Sequence, residues 1–394
     1  MKHLLVISSA PAQVTPEGVV LDKKFLEGMR SYCAGWSGQV HCILQKTGTV
    51  PFGTTVDPEN LPFELQMPEA AARLSPEQLA QYDVILCSGD NHRYFYLADL
   101  CRTLPVRLYY IIEYILETRL QIIQLDARLS PLRKLKGVLW TLRQERRRRR
   151  AFRRADGLQA NGYPADAAYR GINANTVRYL DNRVRRADMA TADEMAARRA
   201  HLAAQGPLRL IHSGRLERMK GSHDLIPIAR HLRDRGVDFR LDIFGTGSLE
   251  EEIRTGIGAA GLQDHVHLHG TVDFQSELVP FTRTQSDIFL SCHRQSDPSC
   301  TYLEALGCGV AVAGYANRMW QALQQQSGAG WVAPLGKPEA LADVIAAAAA
   351  DRADVTACCD AALTFAQSHS FETEFNRRIA HLAGTSSKGD ASAA

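Results

Sequence analysis

The sequence predicts an α/β protein of two parallel-sheet domains, and three observations carry that prediction. Short apolar runs alternate with helix-length amphipathic ones along the whole chain, the pattern of successive βα units. The 394 residues, 45% hydrophobic and 23% charged, suffice for about two domains of ordinary size. The alternation breaks once, in a polar stretch rich in Ala and Arg between Asn182 and Gly206. This composition excludes a disordered or fibrous chain and a single small binding module.

In the first half the strand-like runs are 4–8, 40–44, 83–87, 107–112, 157–160 and 177–180, with helical patterns such as 21–33 and 76–81 between them. In the second half they are 208–212, 240–244, 266–268, 287–291, 310–313 and 330–332. The divisions expected are a first domain over 1–182, a linker helix over 183–206, a second domain over 207–365 and a C-terminal helix over 366–383. The last residues, 384–394, are small and polar and read as a disordered tail.

Nine cysteines form no Cys-x-x-Cys pair, which fits reduced thiols of a cytoplasmic protein and speaks against a zinc site or a disulfide framework. The most apolar long stretch, 108–125, is interrupted by Glu113, Glu117 and Arg119 and is no membrane span. Residues 1–12 read as the opening strand of a parallel sheet in preference to a leader peptide.

Net charge is only +3, yet 132–154 holds eleven cations against one acid, Glu145, for +10, leaving −7 for the rest. Leu135, Val138, Leu139, Trp140 and Leu142 are interleaved with those cations. Such a basic amphipathic helix suits an anionic membrane surface. A solvated helix face is the plainer explanation, and a nucleic-acid patch a third.

The second half carries the chemistry. Ser213-Gly214-Arg215-Leu216-Glu217-Arg218-Met219-Lys220-Gly221 follows a strand, so Arg215 and Lys220 sit on a loop at the carboxyl edge of the sheet, where open α/β sheets bind ligands. An Arg fork and a Lys point charge can neutralise a diphosphate, although two ordinary surface cations would look the same. Gly245-Thr246-Gly247 ends the next strand and is by itself a weak phosphate signal; Ser248 and Glu251 after it read as a capping box. In 297–309, Glu304 stands in a small and apolar helical segment, where a carboxylate is costly to bury without donors.

Taken in order, these motifs resemble the retaining GT-B glycosyltransferases of family 4, the glycosyl transferases group 1. The resemblance rests on Ser213-Gly214-Arg215-Leu216 with Lys220-Gly221, Phe244-Gly245-x-Gly247, the Val-x-Leu-x-Gly-x-Val of 266–272, the Leu-Glu-Ala-Leu-x-Cys-Gly-Val-x-Val of 303–312 and the Gly-x-Gly-Trp-Val of 328–332. It is close over 207–351 and architectural in the first half. It implies two Rossmann-like domains facing each other across a cleft, with a nucleotide-sugar donor on the second. Arg215 and Lys220 would be the catalytic pair, holding the departing diphosphate without a metal or other cofactor. Gly214, Gly245, Gly247, Pro298, Ser299, Cys300, Thr301 and Asp297 would border the donor. Glu304 would take the ribose hydroxyls, and the backbone at Thr271 and Val272 the base. The sequence departs from the family at Ser296, where a first acidic residue is usual, and at Pro298, which removes a backbone donor.

The resemblance gives the first domain the acceptor, a glycan or lipid-linked sugar of bacterial surface polysaccharide assembly. Its candidate residues are Gly18, in a loop over 11–18 before a helix starting near Val20, and the strand-end residues Asp90, His92 and Glu113. The expected protein is a cytoplasmic transferase, peripheral on the inner membrane face, with no nucleic-acid partner. Another nucleotide-sugar reaction, such as epimerisation, and a catalytically degenerate binding protein are the competing readings.

Overall fold

The computed structural model describes residues 2–50, 53–68, 73–126, 128–296 and 298–384. The chain divides into two compact units. The first gathers the N-terminal residues to Arg119, Pro131–Tyr179 and the C-terminal residues from Thr373; the second gathers Leu120–Ser130 and Leu180–Glu372.

The first unit is built on β1 (Lys2–Thr15), β2 (Gly18–Asp22), β3 (Gly38–Lys46), β4 (Gly53–Val56), β5 (Glu64–Gln66), β6 (Val84–Ser88), β7 (Arg107–Ile112), β8 (Gly157–Asn161) and β9 (Thr176–Tyr179). Its parallel body runs β5-β3-β1-β6-β7-β8-β9, while β2 and β4 add antiparallel to the far end of β1. Every residue of β6 and β8 is buried, as expected of central parallel strands covered on both faces. The sequence order reverses direction between β1 and β6.

The loop expected at 11–18 is instead a β-hairpin. Ala12 and Val14 pair with Leu21 and Val19 across it, which places Ala12, Val19 and Leu21 in the core and leaves Val14 exposed. The helix therefore starts at Lys23 and not near Val20, with Asp22 as its cap accepting from the Phe25 amide at 2.9 Å. Gly18 takes φ +138° beside the Val56 carbonyl, so its glycine serves the hairpin.

The second unit has six strands, all parallel: β10 (Leu208–Ser213), β11 (Phe239–Phe244), β12 (Val266–Gly270), β13 (Ile288–Ser291), β14 (Ala311–Tyr315) and β15 (Gly330–Ala333). Their order is β12-β11-β10-β13-β14-β15, so the switch point lies between β10 and β13. Leu210, Leu241, Ile243, Ile288 and Ala313 form the centre of its core with the helices Leu225–Asp234 and Pro338–Ala350.

The stretch expected as a linker, 183–206, holds the helix Ala192–Ala203, capped reciprocally by Thr191 and Glu194. It is a helix of the second unit. Buried Arg198 donates to the carbonyls of Ser286 at 2.9 Å, Arg283 at 2.6 Å and Cys308 at 3.2 Å. The last helix, Phe371–Ala383, belongs from Thr373 to the first unit. There Arg378 lies over the Tyr179 ring at 4.3 Å and donates to Gln159 Oε1 at 3.2 Å. Of the tail expected at 384–394, residues 385–394 lie outside the described residues. None of the nine cysteines forms a disulfide with another described residue. Among the described residues no helix is long and apolar enough to cross a membrane.

Candidate functional site

Four strand-end loops of the second unit meet at the carboxyl edge of its sheet, around the switch point. The loop after β10 carries Gly214, Arg215 and Lys220; the loop after β11 carries Gly245 and Gly247. The two are laced through backbone: Gly214 N–H donates to Phe244 O at 3.0 Å, and Leu216 N–H to Thr246 O at 2.9 Å. Gly245, at φ +123°, packs on the Gly214 carbonyl and Gly247 on the Leu216 carbonyl, both closer than any Cβ allows. The Gly-x-Gly signal thus reports close approach of two loops. Ser248 makes no capping box with Glu251. Its N–H and hydroxyl donate to the Glu217 carboxylate at 3.1 and 2.6 Å, because the helix Glu250–Ala259 begins one residue later, with Leu249 at its cap. The Ser248 hydroxyl, first among its surroundings, holds the Glu217 carboxyl below its ordinary range.

Arg215 is exposed and Lys220 half-buried on this lip. Gly221, φ +71°, packs on the Cys292 carbonyl and so brings the Lys220 turn against the end of β13. Beneath lie two histidines that the motif reading missed, His212 and His293, both buried. Burial holds the His212 imidazole down at about 4, with Lys220 adding to the effect. His293 is held well below its ordinary range by burial, then by Lys220 and His212. His212 Nδ1 lies 2.9 Å from Leu290 O, so the neutral ring carries its proton there and turns an acceptor, Nε2, the other way. In the sequence His212 is a polar residue at the end of an apolar strand, whereas His293 stands beyond β13 beside Arg294 and Gln295 and carries no such signal.

Thr271 and Val272 follow β12, and the Thr271 hydroxyl donates to the Thr246 hydroxyl at 3.4 Å. Beyond them, Phe274 lies under the guanidinium of Arg183 at 3.7 Å. Arg183 in turn holds Glu304, with Nε 2.8 Å from Oε1 and Nη2 3.3 Å from Oε2. The donors required by a buried carboxylate come from this arginine, which sequence reasoning had placed in a linker and given no role.

The loop after β13 is packed down. Ser296, buried, accepts from the Arg318 amide at 3.2 Å, and Asn317 donates to His293 O at 3.0 Å. Ser299 and Thr301 hydroxyls share a hydrogen bond of 2.9 Å ahead of the helix Thr301–Gly307, with Cys300 at its cap and Pro298 before it. Asp297 lies outside the described residues.

On the first unit Asp90, His92 and Glu113 reach the carboxyl edge of the sheet after β6 and β7. Asp90 accepts from the amides of Glu113 at 2.7 Å and Tyr114 at 3.2 Å and pairs with Arg119 at 3.0 Å and Arg148 at 2.9 Å. It is a structural anchor. Glu113 accepts from Asn161 at 2.8 Å and Tyr179 at 3.3 Å. His92 stands edge-on to Trp140 at 5.0 Å, its imidazole held down by burial and then by Arg147, Arg93 and Arg119.

Residues 193–362 match the family model of the glycosyl transferases group 1. The amylovoran biosynthesis glycosyltransferase AmsK of Erwinia amylovora is 30% identical over 191 residues, 45% of this chain and 44% of AmsK. The matched region thus spans under half the length of that curated relative. Among solved structures, Anabaena Alr3699/HepE in complex with UDP superposes with TM-score 0.66 at 15% identity, covering 98% of this chain and all of that one. The sucrose-phosphate synthase of Thermosynechococcus elongatus gives TM-score 0.66 at 14% identity, covering 98% of each chain. These likenesses show the fold, two Rossmann-like units of the GT-B class.

Proposed function

We propose that this chain, whose residues 193–362 match the family model of the glycosyl transferases group 1, transfers a sugar from a nucleotide-diphosphate donor to a glycan or lipid-linked acceptor in bacterial surface polysaccharide assembly. The observation that supports the reading is the pair of interlocked glycine loops after β10 and β11, next to the β10/β13 switch point, with Arg215 and Lys220 both on the β10 loop. Uridine is the first base to test, since HepE was solved with UDP; surface polysaccharide is the first acceptor class to test, since AmsK is named for amylovoran biosynthesis.

In this reading Arg215 and Lys220 hold the diphosphate and stabilise the charge that grows on it as the glycosidic bond breaks, a task that needs no metal where two cations are positioned. The acceptor hydroxyl attacks the anomeric carbon from the face the diphosphate leaves. The bonding pair passes to the departing phosphate oxygen, which also takes the hydroxyl proton, and configuration is retained. Glu304 keeps unused lone pairs beside Arg183 for the ribose hydroxyls.

The test is thermal unfolding with UDP, GDP and ADP on the wild type and on R215A/K220A. A nucleotide at about 100 times its dissociation constant adds roughly 2.7 kcal/mol. Stabilisation by one nucleotide, lost in the double variant together with turnover, supports the reading. Stabilisation that survives in the double variant removes Arg215 and Lys220 from the donor site.

A further inference from the structure

The helix Pro131–Arg154 presents to water a stripe that changes chemistry along its length. Residues of an α-helix advance by about 100° each, so Leu132, Leu135, Leu139 and Leu142 share one stripe, and Arg146, Arg150 and Arg153 continue it. The four leucines are exposed, Leu132 by 62%, and Trp140, 49% exposed, borders them. The opposite face, with Gln144, Arg148, Ala151 and Phe152, is buried. The stripe is therefore apolar for about three turns and cationic for about two more.

A contiguous apolar patch of this kind marks a docking surface, and the charge around it selects the occupant. Arg133, Lys136 and Arg143 flank the leucines and are exposed. The one acid of the segment, Glu145, is turned inward, where Arg149 at 2.9 Å and the Tyr169 hydroxyl hold it. A second copy of the same face would bring cation against cation. An anionic bilayer offers an apolar layer beneath a sheet of phosphates, which matches both halves of the stripe.

We propose that this face docks on an anionic lipid bilayer, with the leucine turns and Trp140 in the boundary between head groups and acyl chains and the arginine turns on the head-group phosphates. The inference is independent of the transferase reading. Because Trp140 touches His92, docking sets the end of β6 beside the lipid.

Flotation of the full chain with vesicles of phosphatidylcholine, with or without phosphatidylglycerol, tests this. The wild type should float with the anionic vesicles only, less so at high salt, with a blue shift of tryptophan emission that W140F lacks. L135S/L139S/W140S should bind at least about tenfold more weakly, and R143A/R146A/R150A should lose the salt-sensitive part. All these residues are exposed, so unchanged thermal midpoints certify the folds. Failure of the wild type to bind anionic vesicles, or binding equal in wild type and both triple variants, overturns the proposal. A dimer that the leucine variant disperses, with no vesicle binding, overturns it in favour of a second copy.

Discussion

Arg183 and Glu304 form a two-pronged ion pair, Nε to Oε1 at 2.8 Å and Nη2 to Oε2 at 3.3 Å, with the guanidinium lying on Phe274 at 3.7 Å. The Glu304 side chain is 9% exposed, while the Arg183 side chain is 31% exposed. The pair is asymmetric: removing the arginine strands a charge in the interior, whereas removing both members strands none. R183A should therefore lose about 1–3 kcal/mol, and R183A/E304Q less than the sum of the single losses. Urea unfolding of the four proteins reads this coupling, and strictly additive losses would show that the two side chains do not depend on each other. If the ribose sits on Glu304, R183K should also weaken nucleotide binding while leaving the unliganded midpoint nearly unchanged.

The interlocked loops make a sharper prediction about glycine. Gly221 and Gly245 combine positive φ with carbonyl oxygens where a Cβ would stand. Alanine at either should cost about 3 kcal/mol or more, through backbone strain plus collision with atoms that cannot swing away. Gly258, in the helix Glu250–Ala259, has nothing within 4 Å of a Cβ, and G258A should stabilise by about 0.4–1 kcal/mol. Denaturant midpoints of the three variants settle the ranking.

The parallel body was legible because its strands are unbroken apolar runs, and the lip at Arg215 and Lys220 because a strand end fixes where a following loop emerges. The hairpin β1–β2 was not legible from Gly18, since a glycine before a helix and a glycine in a tight turn look alike in sequence. Arg183 was hidden for another reason: its partner lies 121 residues away, and nothing local distinguishes it from the neighbouring Arg185 and Arg186. Likewise Ser248 preferred the Glu217 carboxylate of the adjacent loop over the local cap, a choice made by tertiary packing.

Two buried histidines in different units give the stability a direction with pH. His212 and His381 are each held down at about 4 by burial, against an ordinary value of 6.5. Below 6.5 the unfolded chain takes up protons that the folded one refuses, so stability falls as pH drops from 6.5 toward 4 and is fully present above that window. Each group contributes on the order of 3 kcal/mol across it. H212N, whose amide can still donate toward Leu290 O, should reduce the slope of stability against pH by about one proton in this window. A slope equal to that of the wild type would mean that His212 is protonated in the fold.

The basic run 146–150 contains one cation that is not a surface charge. Arg148 is fully buried; it donates to Asp90 at 2.9 Å, to Tyr114 O at 2.7 Å and to the Tyr169 hydroxyl at 3.0 Å, between the rings of Phe152 and Tyr169. Its position on the helix, with Thr141, Gln144, Ala151 and Phe152, separates it from Arg146 and Arg150 by about 160° in either case. R148A leaves Asp90 with one arginine fewer and the Tyr114 carbonyl without its donor, and should cost about 3–5 kcal/mol. R146A and R150A should fall within about 0.5 kcal/mol of the wild type. Thermal and urea unfolding of the three single variants tests the contrast. Since Asp90 also orders the Glu113 and Tyr114 amides, R148A should loosen the end of β7 first, seen as faster amide exchange there than in the second unit.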